Sequence, residues 1–287
     1  MANLKEIKQR IGSVTNTRQV TSAMKMVSAA KLQKAQQWII NARPYSDELD
    51  SILLSLATRT RRDIHPLLKQ INKENVKSIA IIVITADKGL CGAFNINIIK
   101  KTEQVIKKYK RNNIELICVG KKGRDYFKKR GYIIRDEYIN FFNRLKFDYT
   151  RDVMNLVTSS FLDGKYDQVL MVYNEFKSAI QQNIVEKQLL PLDELEETED
   201  KFLASYLFEP EAITLLEDLI KKHLDVQIWR VLLESSSAEQ GARMTAMDAA
   251  TDNADEMIKE LTLDYHRKRQ GNITKEIIEV SSASESL

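Results

Sequence analysis

The sequence is poor in the residues that build disulfide frameworks and metal sites. Its 287 residues include only two Cys, three His, four Pro and nine Gly. Cys91 and Cys118 are too few for a disulfide framework, and His65, His223 and His266 lack the spacing of metal ligands. We therefore expect no metal and no cofactor, and ordinary buried or solvated side chains at these five positions.

Long apolar runs are also missing. The longest aliphatic run, 79–84, is far shorter than the ~20 residues that a membrane-spanning helix needs. The opening MANLKEIKQR mixes charges where a secretory signal would be apolar. With 29% charged and 43% hydrophobic residues, the composition is typical of globular proteins. We expect an intracellular protein whose first residues belong to the mature structure.

The charge balance is nearly even, at 44 basic and 40 acidic residues. Basic residues cluster in TRTRRDIHPLLK, KKYKR and KKGRDYFKKR, and such clusters can meet phosphates or an acidic protein surface. Solvated helix or loop faces produce the same pattern. A coiled-coil protein that binds nucleic acid stays an alternative, although the mild net charge of +4 argues against it.

Residues 1–57 form the first predicted segment, a single long helix with a narrow apolar seam. Gly12 is the only glycine between residues 3 and 57, and Pro44 should kink the helix or end its first part. Between two well-defined stretches the seam weakens to Val20, Met24 and Val27. The clear seam positions are Leu4, Ile7, Ile11 and Val14, and later Trp38, Ala42, Tyr45, Leu49, Ile52 and Leu56.

Residues 76–208 form the second predicted segment, in which short β-rich runs alternate with amphipathic helices. The predicted strands are SIAIIVIT, IELICVG, YIIRDEYI, DQVLMVYNEF and NIVEKQLLPL. Between them, helices are predicted from about 97 to 110, in KKGRDYFKKRG and in TRDVMNLVTSSFLDG. This order indicates a Rossmann-like α/β domain with a mainly parallel sheet covered on both faces. The acidic LDELEETEDKF reads as a linker.

Residues 209–287 form the third predicted segment, a helix that begins near Pro210 and runs to about Val280. It contains SSSAEQGARMTAMDAATDNA, a run rich in helix formers but without enough large apolar side chains to pack on a core. The predicted seam follows Leu224, Ile228 and Val231, thins to Ser235, Ala238, Ala242, Thr245 and Ala249, and resumes at Ile258, Leu261 and Tyr265. The fold class is therefore α/β with a long antiparallel coiled coil of the terminal helices.

Helix lengths predict how the two terminal helices pair. At 1.5 Å per residue they are about 80 and 105 Å long. If Leu56 and Pro210 lie level, Met26 falls beside about residue 240 and Leu4 beside about 262. The two weak seams then face each other, and about 25 C-terminal residues overhang. The overhang contains Ile273 and Ile277, so we expect it to end inside another protein. An ordinary coiled-coil hairpin in solvent is the alternative.

The most enzyme-like stretch is ITADKGLCGAFN, where a strand turns into a helix, a usual place for phosphates. It contains neither GxGxxG nor GxxxxGK[ST], and Lys88 precedes its Gly pair. Cys91 has no nearby His to act as a base. These absences argue against a nucleotide-dependent α/β enzyme, which stays the second alternative.

Three stretches resemble the gamma subunit of the F-type rotary ATP synthase. They are MANLKEIKQRIGSVTNTRQVTSAMKMVSAAKLQKAQ, ITADKGLCGAFN and SAEQGARMTAMDAATDNADEMIKELTLDYHRKRQGNITKEIIEV, and together they span essentially the whole chain. The resemblance implies a non-catalytic rotor shaft. Its terminal helices would enter a ring of three alpha and three beta subunits, and its α/β domain would sit with epsilon on the ring of c subunits.

The resemblance also implies a role for individual residues. Arg269, Gln270 and Thr274 would hydrogen-bond a beta loop near the top of the shaft, Arg243 would lie near another beta contact, and Met24 would occupy a coupling-sensitive seam position. Tyr206 and Glu209 would face the c-ring or epsilon.

The resemblance further implies one copy per complex and no nucleic acid. The protein would lie peripherally at the cytoplasmic face of the bacterial inner membrane, with membrane contact only through the c-ring.

Overall fold

The computed structural model describes residues 4–59, 66–68, 76–109, 113–143, 145–178, 181–192 and 212–285. The elements in chain order are α1 (Leu4–Arg59), a 3-10 turn (Pro66–Leu68), β1 (Ser78–Ile84), α2 (Phe94–Lys108), β2 (Asn113–Val119), α3 (Lys121–Lys129), β3 (Ile134–Tyr138), a second 3-10 turn (Phe141–Asn143), α4 (Asp148–Leu162), β4 (Gln168–Phe176), β5 (Gln182–Leu190) and α5 (Ala212–Glu285). The predicted Pro210 start and the acidic linker after residue 192 lie outside the described residues.

The five strands form one sheet in the order β3-β2-β1-β4-β5. All neighbouring pairs are parallel except β4 and β5, which run antiparallel. The predicted α/β fold with a mainly parallel sheet is therefore confirmed. Central β1 is buried from Ile79 to Ile84 because helices cover both faces of the sheet, and this explains its uninterrupted apolar sequence.

The sheet separates two apolar cores. Ala80, Ile82 and Ile84 point to one core, which α4 and the first half of α5 cover. Ile79, Ile81 and Val83 point to the other, which α2 and α3 cover. The period of two along β1 thus divides its side chains between the two cores.

The chain divides into two compact units, residues 1–29 with 243–287, and residues 30–242. Both terminal helices contribute to both units. In the second unit, α5 crosses the β5 edge, where Gln182 Nε2 donates to the carbonyl of Ala238 at 3.1 Å. The weakly apolar run therefore begins inside this unit, with Ser235 and Ala238 fully buried, and small side chains allow the helix to approach the sheet closely.

Pro44 does not end the first helix, because α1 continues through it to Arg59. Ser46 and Leu49 in the following turns are buried, and this packing holds the helix where Pro removes a backbone donor. The alternative that Pro44 ends a first helical part is wrong, and the alternative of a kink at Pro44 stays a prediction.

The seam in the first unit is more polar than predicted. Thr21 and Ser28 are buried, whereas Val20 and Val27 are 58% and 55% exposed. On α5, Thr245 and Ala249 are exposed, and the buried positions are Met247 and Ala254. A seam through Val20, Val27, Thr245 and Ala249 is therefore wrong. On α1 the next residues, Thr21 and Ser28, are buried in place of Val20 and Val27, and on α5 Met247 and Ala254 are buried in place of Thr245 and Ala249.

The predicted register is wrong by about seven residues. Arg18 pairs with Asp255 and Lys25 with Asp248, which places Met26 level with about residue 247, not 240. In the second unit, His223 Nδ1 lies 2.9 Å from Asp50 Oδ1, which is the same register. The prediction assumed helix ends at 56 and 210, whereas α1 reaches Arg59 and the described part of α5 begins at Ala212. These shifts of three and two residues add in an antiparallel pair and account for about five of the seven residues.

Candidate functional site

The first unit is held by a row of polar contacts between α1 and α5, here called the polar ladder. Arg18 Nη1 donates to Asp255 Oδ1 at 2.9 Å, and Lys25 Nζ donates to Asp248 Oδ1. Between these ion pairs, the hydroxyls of Thr21 and Thr251 lie 2.9 Å apart. The contacts follow the seven-residue spacing of an antiparallel helix pair, so they lie one above another along the seam.

Burial differs along the polar ladder. Thr21 is 8% exposed, whereas the charged side chains are 42–48% exposed. The hydroxyl pair thus lies at the helix contact and the charges reach across its margin. Sequence reasoning missed these contacts because it followed apolar residues. The available signal was charge spacing, since Arg18 and Lys25 are seven residues apart, as are Asp248 and Asp255.

The C-terminal part of α5 has no counterpart among the described residues of α1. In the observed register Leu4 lies level with about residue 269, seven residues beyond the predicted 262. About 16 residues of α5, which ends at Glu285, therefore extend past Leu4. Every residue from 266 to 282 is exposed. Ile277 and Val280 are 62% and 71% exposed, and Ile273 and Ile278 are also exposed. Exposed apolar side chains of this kind on one helix are typical of a surface that a partner protein covers.

Three predicted contact residues lie at the start of this exposed part of α5. Arg269, Gln270 and Thr274 are all exposed, and Thr274 Oγ1 donates to the carbonyl of Gln270 at 2.9 Å. Because residues four apart share a helix face, Arg269 lies above Ile273, and Gln270 above Thr274. The structure therefore brings these polar groups together with the exposed apolar side chains on one stretch of helix.

The other predicted contact residues differ in exposure. Arg243 is 8% exposed and has an interaction partner within the chain. Met24 is half-buried, one residue before the Lys25 ion pair. Tyr206 and Glu209 lie outside the described residues, so their predicted contact with the c-ring or epsilon stays a prediction.

The turn between β1 and α2 uses its polar groups to hold itself together. Asn95 Oδ1 accepts from the amide of Ala86 at 2.9 Å, and Asn95 Nδ2 donates to Cys91 Sγ at 3.1 Å. Cys91 is buried, and Leu90 has a positive φ of 62°. This arrangement closes the turn with its own side chains at the position where a phosphate-binding loop would present free amides.

Asp87 ties the same turn to the neighbouring strands. Its Oδ1 accepts from the amides of Lys121 and Asn140, each at 3.0 Å. Lys121 begins α3, so a carboxylate lies at the positive end of this helix, where the helix dipole stabilises it. Asp87 therefore has a structural role, because its carboxylate joins the ends of β1, β2 and β3.

Cys118 is not suited to nucleophilic chemistry. Burial, with a smaller contribution from the charge of Glu137, raises the pKa of its thiol to about 12, so the reactive thiolate is essentially absent at neutral pH. In the described part of the chain, no cluster of three or more His, Cys, Asp or Glu residues could hold a metal ion.

No helix in the described ranges is both long and apolar enough to cross a bilayer.

Comparisons with known proteins agree on one family. The family model described as ATP synthase matches residues 3–287. The ATP synthase gamma chain of Chlorobaculum parvum is 42% identical over 292 residues, covering 100% of this chain and 99% of the relative. That of Salinibacter ruber is 42% identical over 306 residues, with the same coverage.

Solved structures share the fold. A chain of the central stalk and c-ring structure of Tetrahymena thermophila mitochondrial ATP synthase is 25% identical, with a TM-score of 0.63 over 80% of this chain and 99% of that one. A chain of the Euglena gracilis enzyme, 18% identical with a TM-score of 0.70, covers 99% of this chain and 94% of that chain, and it supports the fold alone. Since the family model and the relatives match essentially the whole length, the chain belongs to the ATP synthase gamma-chain family.

Proposed function

We propose that this chain is the central rotor shaft of an F-type ATP synthase. It couples ion-driven rotation of the membrane ring of c subunits to conformational changes at the catalytic beta subunits, for ATP synthesis or hydrolysis. The observation that carries the proposal is the exposed apolar end of α5. Ile273, Ile277, Ile278 and Val280 are unfavourable in water, and a surrounding sleeve of alpha and beta subunits would cover them.

The chain carries no catalytic site of its own in this proposal. Two features support a purely mechanical role. The Gly-containing turn after β1 is closed by Asn95, and the raised pKa of Cys118 suppresses its reactivity. Chemistry then belongs to the partner subunits, and this chain transmits conformational change.

The polar side chains near the exposed end of α5 supply directional contacts. Arg269 offers up to five N–H donors in a planar fork, and Gln270 offers both donor and acceptor atoms. We propose that these two residues and Thr274 hydrogen-bond a loop of beta. Arg243 and Met24 belong to a second region of beta contact.

At the opposite end, Tyr206 and Glu209 would face epsilon or the c-ring. One copy per complex, with three alpha and three beta subunits, would turn at the cytoplasmic face of a bacterial inner membrane. The chain would touch the membrane only through the c-ring and would bind no nucleic acid.

Subunit composition tests the proposal. The tagged full-length chain is purified from its own membranes in mild detergent and weighed by native mass spectrometry. We expect an assembly with one copy of this chain and three copies of each of two nucleotide-binding subunits. A monomer, a simple homodimer or a nucleic-acid complex would refute the proposal.

A further inference from the structure

The spacing of the polar ladder points to a role in helix register. We infer that Arg18, Lys25, Asp248 and Asp255 form a two-pair lock that stabilises the register of α1 against α5 in the first unit. Apolar packing defines register poorly here, because the buried positions between the pairs are the small Thr21 and Ala254. This role goes beyond the proposed rotor function and does not depend on it.

Two ion pairs define a register that one pair leaves ambiguous. The basic residues are seven apart on α1 and the acidic residues are seven apart on α5, so both pairs form together only in the observed alignment. A slip of one heptad in one direction retains a single pair, between Arg18 and Asp248. The same slip turns Lys25 towards Gly241, and Asp255 towards Ile11, so two charges lose their partners.

A slip in the opposite direction is also unfavourable. It would pair Lys25 with Asp255 and turn Arg18 towards Thr262. Asp248 would then face Leu32, which is only 6% exposed, and a carboxylate beside a buried aliphatic side chain loses hydration without gaining a partner. Each slipped alignment thus keeps one pair and isolates two charges, as polar seam residues do when they specify coiled-coil register.

Most large apolar side chains of this stretch do not oppose a slip. Val20, Met26 and Val27 are 55–69% exposed, so their environment changes little when α5 moves by two turns. A seam of small residues tolerates several alignments. Met247 is buried and favours the observed alignment, and the charges add the selection that the small seam residues lack.

Charge reversal with rescue tests the lock in the full-length chain. We would measure amide hydrogen exchange in peptides from 14–28 and 244–258 for Lys25→Asp, Asp248→Lys and the double exchange. We expect each single reversal to accelerate exchange about tenfold and the double variant to restore the parental rate within about threefold. Lys31→Asp, a reversal at an exposed position outside the ladder, serves as the control and should leave exchange unchanged.

Two results would overturn the inference: amide exchange at the parental rate in both single variants, or exchange in the double variant that is at least as fast as in the faster of the two single variants. If a single reversal prevents folding, Asp248→Asn removes the attraction without repulsion and should accelerate exchange less than Asp248→Lys. Equal exchange in Asp248→Asn and the parent would also overturn the inference.

Disulfide trapping reads the register directly. The pair Thr21→Cys with Thr251→Cys reports the observed alignment, and Thr21→Cys with Met244→Cys reports the slipped one. Native Cys91 and Cys118 are buried, so they do not compete. With the ladder charges intact, we expect mild oxidation to form a disulfide only in the first pair. Adding Asp248→Lys to that pair should lower the disulfide yield at least twofold. Equal joining of both pairs, or a yield that ignores the reversal, would contradict the lock.

Discussion

The backbone amide of Gly123 donates to Thr85 Oγ1 at 2.9 Å, which places the first turn of α3 directly against the end of β1. Gly120, just before this helix, has a φ of +103°, and its amide donates to the carbonyl of Tyr138 at 2.7 Å. A Cβ added to Gly120 would lie 2.0 Å from the carbonyl oxygen of Thr85. The approach of α3 to β1 therefore requires glycine.

Gly120→Ala should destabilise the α/β domain strongly. The added Cβ meets rigid backbone in addition to the strain of a positive φ, so we expect a loss of about 3 kcal/mol or more in the free energy of unfolding. Gly131→Ala is the matched control, because its φ is +73° and no atom lies within 4 Å of the new Cβ. It should lose only about 1 kcal/mol. Urea unfolding measures both, and equal losses would contradict the close approach.

Glu115 should make stability depend on pH in the acidic range. Burial, the largest influence, raises the pKa of its carboxyl, but hydrogen bonds from Lys165 and Tyr166 together with the nearby positive charges bring it below the ordinary value of 4.5. Protonation is therefore harder in the folded state. The resulting stabilisation is present above pH 4.5 and is lost as the pH falls through the folded-state pKa.

The variant Glu115→Gln isolates this contribution. We expect the difference in unfolding free energy between parent and variant to be largest near neutral pH and to shrink as the pH falls below about 4.5. Glu260→Gln, on an exposed part of α5, serves as the control. Chemical unfolding at several pH values makes the measurement, and a difference that stays constant down to pH 3 would refute the assignment.

Removing the polar side chains near the end of α5 should affect coupling and not folding. Arg269 and Gln270 are exposed, so Arg269→Ala with Gln270→Ala should leave the melting temperature of the chain unchanged. Loss of charge-assisted hydrogen bonds to beta should lower ATP synthesis by about tenfold in energised membrane vesicles. The neighbouring Lys268→Ala is the control, and unchanged synthesis in the double variant would exclude these contacts.

The exposed apolar side chains near the end of α5 should be needed for assembly with the alpha and beta subunits and not for folding of the chain. Replacing Ile273, Ile277, Ile278 and Val280 together by Ser removes no buried contact within the described chain, so the free energy of unfolding should change by about 0.5 kcal/mol or less. Binding to the alpha and beta subunits should weaken at least tenfold, because burial of four aliphatic side chains is lost.

Reconstitution with the isolated partner subunits would measure this loss. Leu162→Ser, a surface substitution at the end of α4, supplies the comparison and should assemble like the parent. Assembly of the fourfold Ser variant at parental affinity would show that the end of α5 is not enclosed.

Most of the fold could be predicted because its signals are local. The apolar run of β1 and the alternation of strands with amphipathic helices require no knowledge of distant contacts, so the sheet class and every central helix were predicted correctly. The predicted start of α2 near residue 97 was three residues late, since Phe94 already packs in the core. Helix ends depend on such packing and are harder to predict.

The helix pairing could not be predicted at the same detail. Val20 has a larger apolar side chain than Thr21, yet Thr21 is buried because Thr251 faces it from 230 residues away. The partner helix decides which of two adjacent residues lies in the seam, and it also decides between alignments that differ by seven residues. Periodicity in one helix reveals neither. The contact roles of Arg269, Gln270, Thr274, Arg243, Met24, Tyr206 and Glu209 come from family resemblance and stay predictions.

Rotation of this chain is the most direct test of the rotor proposal. Because Cys91 and Cys118 are buried, a single exposed cysteine introduced by Lys107→Cys in the α/β domain can carry a probe selectively. The beta subunits of the purified catalytic assembly are fixed to a surface and ATP is added. We predict stepwise turning of the probe in one direction, at a rate that follows ATP hydrolysis. Continued ATP hydrolysis with a probe that stays fixed would contradict the rotor account.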